Sequence, residues 1–272
     1  MDIKSDKAMQ ATNSFSFHRL MLLFKHSLVI NKRRFTMAVS AFSGFLFLSL
    51  FFAQSVHDYT NWGNKDYLST FISIFVSLGI AFSALAFPGF RSKEKSMAYL
   101  MLPATNGEKF VFELLFRIVA FIILMPLLFW TVANLEGTVI HYFFPKLTNY
   151  KFSFGEGFLQ IVKDGKFEFW ALILTIQGIL FGFIAPFAGA GYFSKSPLLK
   201  TILTFSIINL SYFLFIFLLV KGFNLEQFHS HGNSLFFMKD NQRVVMQLAI
   251  GMTIINLTLL SFAWFTLKEK EA

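Results

Sequence analysis

The sequence contains no cysteine and few charged residues. Because none of its 272 residues is cysteine, disulfide bonds, thiolate metal sites and cysteine nucleophiles are excluded. Charged residues make up 14% of the chain and hydrophobic residues 55%, whereas a soluble domain carries about a quarter charged residues. A chain this apolar cannot cover its surface with polar groups in water, and its composition indicates a bilayer as the solvent.

The sequence also lacks the motifs of several enzyme classes. It has no GxxxxGK[ST] loop for ATP, no HExxH zinc motif and no GxSxG serine motif. His229 and His231 share one connection, but no carboxylates stand near them at a ligand spacing. We therefore expect no catalytic residue, no metal site and no cofactor-binding site in this chain itself.

Long apolar segments predict an all-α membrane protein with six spanning helices. A spanning helix needs about 20 predominantly apolar residues, and six segments meet that length: 35–56, 67–87, 110–134, 169–192, 201–220 and 244–267. The centres of these segments hold no ionisable residue, which argues against an ion-coupled carrier. Two long connections, 136–168 and 221–243, are polar. The first has an alternating stretch and a turn pattern that indicate a hairpin or a surface helix.

The segment before the first predicted span has the pattern of an amphipathic helix. Residues 1–14 are polar and of mixed charge, which is typical of disorder. In 15–34, apolar residues recur every three or four positions with basic residues between them, which predicts a helix at the membrane surface. The alternative is that 15–34 forms the start of the first spanning helix.

The distribution of charge predicts the orientation in the membrane. One side comprises the amino terminus, the connection after the second span with the start of the third, the connection after the fourth span and the tail 268–272. That side carries 16 Lys and Arg residues and 7 acidic residues, whereas the other side carries 8 of each. Because the net charge of +9 lies on one side, the positive-inside rule predicts that both termini face the cytoplasm.

A polar stretch, Phe90–Phe110, separates the second and third predicted spans. Its beginning carries three basic residues suited to the cytoplasmic interface, Arg91, Lys93 and Lys95. The short helix predicted for 96–102 presents three apolar residues on one side, Met97, Leu100 and Met101. Pro103 should end this helix, because the residue before a proline avoids the α conformation. The apolar side either packs against the bilayer and neighbouring turns or docks onto a soluble protein.

Two further patterns follow this helix. Thr105 and Glu108 have the spacing of a capping box, so a helix is expected to begin near Asn106. Glu113 and Arg117 are four positions apart and can pair on one helix face. This pair is either a structural ion pair or part of a gate between transport states.

Two segments resemble a known family. The first is Phe17-His-Arg19-Leu20 with Lys25 and Asn31-Lys-Arg-Arg, and the second is Lys95-Ser-Met-Ala-Tyr-Leu-Met-Leu-Pro103-Ala-Thr-Asn-Gly-Glu108-Lys-Phe. Both are similar to the bacterial permease subunits of ABC-2 type ATP-binding-cassette transporters. The predicted layout of six spans with both termini inside extends the similarity over the whole chain.

This resemblance implies the permease subunit of an ATP-driven exporter in the bacterial cytoplasmic (inner) membrane. It implies two partners: a second permease subunit, and a separately encoded ATPase that holds the ATP and Mg²⁺. The segment 91–102 would be the coupling helix that docks in a groove of the ATPase, through Arg91, Lys93, Lys95, Met97, Tyr99, Leu100 and Met101. The segment 15–34 would be the elbow helix beside it.

Three expectations remain open at this point. The short re-entrant helices that the family often has before its last span have no clear counterpart in 221–243. A scaffold or sensor subunit that transports nothing is the alternative function, since one fold supports several functions. No nucleic-acid partner is expected, because the positive charge is confined to one predicted membrane face, and no pattern identifies the substrate.

Overall fold

The computed structural model describes residues 15–56, 62–91, 97, 99, 104–143, 151–164, 169–222 and 241–271. Within these ranges the chain is helical with short irregular connections, and no strand occurs. The helices are α1 (Phe17–Val56), α2 (Asn64–Ser83), α3 (Asn106–Leu114), α4 (Ala120–Phe143), α5 (Phe154–Asp164), α6 (Phe169–Tyr192), α7 (Pro197–Gly222) and α8 (Asn241–Glu271). A 3₁₀ helix, Pro88–Arg91, follows α2, and a π-helical turn, Leu115–Val119, joins α3 to α4. The predictions for 1–14 and for most of 221–243 fall outside the described residues.

Among the described residues, six helices are long and apolar enough to cross a membrane: α1, α2, the continuous helix α3–α4, α6, α7 and α8. Their outer surfaces carry large apolar side chains. On α7, for example, Leu210 and Phe213 are 68% and 71% exposed. Contiguous apolar surface of this kind is rare on a soluble protein. The prediction of an all-α multi-pass membrane protein is thereby confirmed.

The amphipathic segment and the first span form one helix. α1 has 40 residues and no break at Arg34, in contrast to the separate surface helix expected for 15–34. Neither proline nor glycine occurs between Phe17 and Ser43, so the backbone hydrogen-bond ladder continues through the junction. At 1.5 Å per residue the helix is about 60 Å long, twice the roughly 30 Å of the hydrocarbon core.

The third spanning helix is longer than expected. The expected start of a connection at Glu136 is wrong, because α4 continues through Phe143. Buried residues recur along α4 every three or four positions, at Met125, Phe129, Val132, Ala133, Glu136, Gly137 and Ile140. Glu136 therefore continues the inward face of the helix. The surface-helix alternative for the following connection is present as α5, and the described residues 151–164 contain no hairpin.

The other helices agree more closely with the expected spans. α6 has the expected bounds of 169 and 192. α2 begins and ends about three residues earlier than the expected span, and α7 begins four residues before position 201. α8 continues through the charged tail as far as Glu271.

The chain forms two compact units. Unit one comprises Met1–Gly79 and Leu102–Lys166, and unit two comprises Ile80–Met101 and Phe167–Ala272. The core of unit one combines aromatic and aliphatic side chains and joins α1, α2, α4 and the segment before α5 through Leu46, Leu50, Tyr67, Leu68, Phe71, Met125, Phe129, Val132, Ala133 and Phe152. Burial of a large apolar side chain contributes about 1.5–3 kcal/mol.

In unit two, α6 packs mainly on α8. The second half of α6 is buried from Phe183 to Gly191, and Ala263 and Leu267 of α8 are fully buried. Gly189 lies directly against the side chain of Thr201 in α7, so that a β-carbon at this position would overlap the Thr201 hydroxyl group. Helices approach closely where such small residues stand.

Candidate functional site

In unit two, a strained residue lies four positions before the predicted docking segment 91–102. Phe87 has a φ of 52°, is fully buried and packs its ring 5.0 Å from that of Phe187. A positive φ in a bulky residue costs about 1–3 kcal/mol and persists only where the surroundings enforce it. Here the aromatic packing holds the backbone in a sharp change of direction after α2, directly before the 3₁₀ helix Pro88–Arg91.

Arg91 turns back onto the end of α2. Its guanidinium group donates a hydrogen bond of 3.0 Å to the carbonyl oxygen of Ala84, just beyond the last helical residue, Ser83. The last carbonyl groups of a helix have no partner within the helix. In the structure the Arg91 side chain binds the end of α2, and its expected contact with a partner protein stays a prediction.

Tyr99 packs on the 3₁₀ helix Pro88–Arg91, and Met97 is exposed. Tyr99 packs its ring 5.3 Å from that of Phe90 and covers Gly89 so closely that a β-carbon there would overlap it. Met97 is 63% exposed, and both Met97 and Tyr99 are helical. The remaining predicted docking residues, Lys93, Lys95, Leu100 and Met101, and the helix-ending Pro103, lie outside the described residues.

Lys270 of α8 also reaches this segment. Its ammonium group donates to the carbonyl oxygens of Gly191 and Tyr192, at 2.6 Å and 3.0 Å, and lies 5.3 Å from the centre of the Phe90 ring. One lysine thus caps the end of α6 and contacts the 3₁₀ helix. The sequence indicated Lys270 only as part of a charged tail.

In unit one, the capping box that the sequence predicts is present. The Thr105 hydroxyl group accepts from the amide of Glu108 at 3.3 Å, and the Glu108 carboxylate accepts from the amide of Thr105 at 2.9 Å. Glu108 is fully buried, and its other oxygen accepts from Arg19 and from the amide of Ser16. The cap of α3 therefore also binds the start of α1, a contact that sequence spacing could not indicate.

Glu113 and Arg117 are paired, with 3.4 Å between the carboxylate and the guanidinium nitrogen. Arg117 lies within the π-helical turn and also stacks 5.5 Å from the centre of the Phe116 ring. Short π-helical turns occur frequently at functional sites. The geometry is compatible with both the structural role and the gating role expected for this pair.

A second polar cluster, absent from the sequence predictions, lies inside unit one. One oxygen of the Glu136 carboxyl group, Oε2, accepts from Gln54 of α1 at 3.0 Å and from the Tyr67 hydroxyl group of α2 at 2.9 Å. Glu136 is 0% exposed, and its other oxygen, Oε1, has no hydrogen-bond partner among the described residues. The spacing of the buried residues along α4 could have identified Glu136, because Glu136 continues the face of the helix that those residues form.

A short segment before α5 covers this cluster. Phe152 is buried, with its ring 5.4 Å from that of Tyr67 and 5.5 Å from that of Phe129. Asn64 at the start of α2 holds the cover in place, because it donates to Glu156 at 2.9 Å and accepts from the amide of Ser153 at 3.1 Å.

Comparison with known proteins gives no relative for this chain: no family description, no curated protein and no solved structure matches it. Among the described residues, no group of three His, Asp or Glu side chains is arranged to hold a metal ion.

Proposed function

We propose that this chain is the permease subunit of an ABC-2 type exporter in a bacterial cytoplasmic membrane, with both termini inside. A separate ATP-binding-cassette ATPase holds the ATP and Mg²⁺, and a second permease subunit completes the membrane part. The six spanning helices and the two segments that resemble this family support the proposal.

The observation that carries the proposal is the contrast between Tyr99, which is packed, and Met97, which is exposed. Tyr99 is anchored on Gly89 and Phe90, whereas Met97, two positions earlier, is 63% exposed. A simple linker requires neither an aromatic anchor nor an exposed apolar side chain. An exposed apolar side chain close to a packed aromatic residue is suited to fill a pocket of a partner protein.

The surroundings of this segment suit the transmission of a movement. Arg91 binds the end of α2, and Phe90 contacts Lys270, which caps α6. A push on the docked segment therefore reaches α2, α6 and α8 within unit two. A switch of this kind requires contacts that differ between its two states. The strained backbone at Phe87 is a place where two such states can differ.

The test is co-purification with the soluble ATPase from the neighbouring reading frame, which should carry a GxxxxGK[ST] loop. We expect Met97→Asp, and separately the double variant Lys93→Glu/Lys95→Glu, to lose ATPase binding by at least tenfold while still inserting into the membrane. The matched control is Lys151→Glu, an exposed residue of a connection predicted to lie on the other side. Normal ATPase binding by both docking variants would contradict the proposal.

Transport itself is tested in proteoliposomes. An exporter should raise its ATPase activity with at least one candidate substrate, and the Met97→Asp complex should not. A docked ATPase whose activity stays flat across all candidates would instead support the scaffold or sensor subunit.

A further inference from the structure

Three glutamates of unit one are buried, and one of them differs from the other two. Glu108 lies 2.9 Å from the guanidinium group of Arg19, and Glu113 lies 3.4 Å from that of Arg117. Glu136 is as fully buried as Glu108, and its donors among the described residues are the neutral groups of Gln54 and Tyr67. A buried carboxylate charge is usually compensated by a cation, because removing it from water is costly.

No charged group among the described residues compensates Glu136. Besides Tyr67, the charged or titratable residues at the start of α2, at the end of α4 and around the start of α5 are Lys65, Asp66, His141, Tyr142, Lys151 and Glu156, and the end of α1 that carries Gln54 has none. None of these is hydrogen-bonded or ion-paired to Glu136. Asp66 accepts from the amide of Gly63, and Glu156 accepts from Asn64.

The geometry also restricts the ligand that the free oxygen could take. A metal ion needs several oxygen ligands, but Gln54 and Tyr67 both present donors to this carboxyl group. An ammonium or guanidinium group needs room, but Oε1 is enclosed by protein. A proton needs neither further ligands nor additional space, so it is the cation that the enclosed Oε1 can take.

We propose that Glu136 is a proton-binding site. In the covered structure, the proton forms an O–H bond at Oε1, and the neutral carboxyl group still accepts from Gln54 and Tyr67 through Oε2. When Phe152 and the start of α5 move away, water reaches Oε1, the proton passes to that water, and the carboxylate that remains is solvated. Glu136 lies in the helix Asn106–Phe143, which is long and apolar enough to cross a membrane, and an ionisable residue in such a helix is a candidate functional site. Proton binding at Glu136 does not depend on the docking of an ATPase.

The first test is infrared spectroscopy of the purified full-length protein at neutral pH. A protonated carboxyl group has a carbonyl stretch that is separate from the bands of carboxylates. We expect such a band in the wild type, with the area of one carboxyl group per chain, and its complete loss in Glu136→Gln. The control Glu269→Gln removes an exposed carboxylate of α8, away from Glu136 and its cover, and should leave the band unchanged.

The second test reports the movement of the cover. Trp62 has its ring 5.9 Å from that of Tyr67, so its fluorescence can report this region in a variant with Trp130, Trp170 and Trp264 replaced by Phe. We expect an emission change as the pH is raised, and no such change after Glu136→Gln.

The outcomes separate clearly. Absence of the carbonyl band in the wild type, or its persistence in Glu136→Gln, would overturn the proposal. If Glu136→Gln does not fold, Glu136→Asp serves instead, because it must shift the frequency of the band when the band belongs to residue 136. A band with no fluorescence change would overturn the coupling to the cover.

Discussion

The Arg19 guanidinium group lies 2.9 Å from the Glu108 carboxylate, and that same carboxylate caps the helix that begins at Asn106. Two residues that are 89 positions apart in the chain thus form an ion pair. The carboxylate is fully buried, whereas a quarter of the Arg19 side chain is exposed. This contact holds the start of α1 against the start of α3. The Glu108 side chain therefore both caps α3 and binds α1.

Glu108→Ala should therefore destabilise the protein more than Thr105→Ala. Loss of Thr105 removes one capping interaction, worth about 1 kcal/mol. Loss of Glu108 removes the reciprocal cap and leaves Arg19 without its carboxylate, which we expect to cost about 3 kcal/mol. Unfolding midpoints in detergent measure the difference. Equal losses for the two variants would show that the Arg19 contact contributes little.

Gly189→Ala should destabilise unit two, because its β-carbon would overlap the Thr201 side chain. Overpacking of this kind costs about 1–3 kcal/mol. The matched control is Gly178→Ala in the same helix, where the new β-carbon meets nothing within 4 Å. There the higher helix propensity of alanine should raise stability by up to about 1 kcal/mol.

A second variant identifies the cause of the Gly189 effect. Thr201→Ala removes the hydroxyl group that would meet the new β-carbon most closely, so Gly189→Ala/Thr201→Ala should lose less stability than the sum of the two single variants. Additive losses would mean that Gly189 is needed for another reason.

Lys270→Ala should lower the unfolding midpoint, because Gly191 and Tyr192 lose their charged donor at the end of α6. A hydrogen bond from a charged group contributes about 1.5–3 kcal/mol, and the partial exposure of Lys270 places the expected loss at about 1.5 kcal/mol. Lys268→Ala, two positions earlier and exposed, should leave the midpoint unchanged. An equal effect of both variants would indicate a general effect of tail charge.

Gly89→Ala should displace the Tyr99 ring and, on the proposed function, weaken ATPase binding without preventing insertion. We expect a loss of about tenfold in ATPase affinity, which corresponds to about 1.4 kcal/mol. Gly44→Ala, where nothing lies within 4 Å of the new β-carbon, is the control for glycine replacement. Unchanged binding would show that the position of Tyr99 does not matter for docking.

The sequence predicted the features that depend on local spacing. The bounds of α6, the capping box of Thr105 and Glu108, and the pairing of Glu113 with Arg117 all follow from residues within one or two helical turns. In such cases the interacting groups are fixed by the geometry of one helix.

The features that the sequence did not predict depend on contacts between distant elements. Glu136 was assigned to the polar connection 136–168, yet it lies inside α4, where Gln54 and Tyr67 donate to one of its carboxyl oxygens. Lys270 looked like part of a solvated tail, but the end of α6 binds it. Only the tertiary structure brings these partners together.

The π-helical turn Leu115–Val119 has a consequence for how the third spanning helix is assembled. A π-helical turn holds about one residue more than an α-helical turn, and each residue of an α-helix turns the chain by about 100°. The angle about the helix axis between Glu108 and Glu136 therefore differs by about one residue step from the angle that an uninterrupted α-helix would give. Deletion of one residue within 115–119 would remove this offset, so that the capped end and the Glu136 face could no longer both meet their partners in α1.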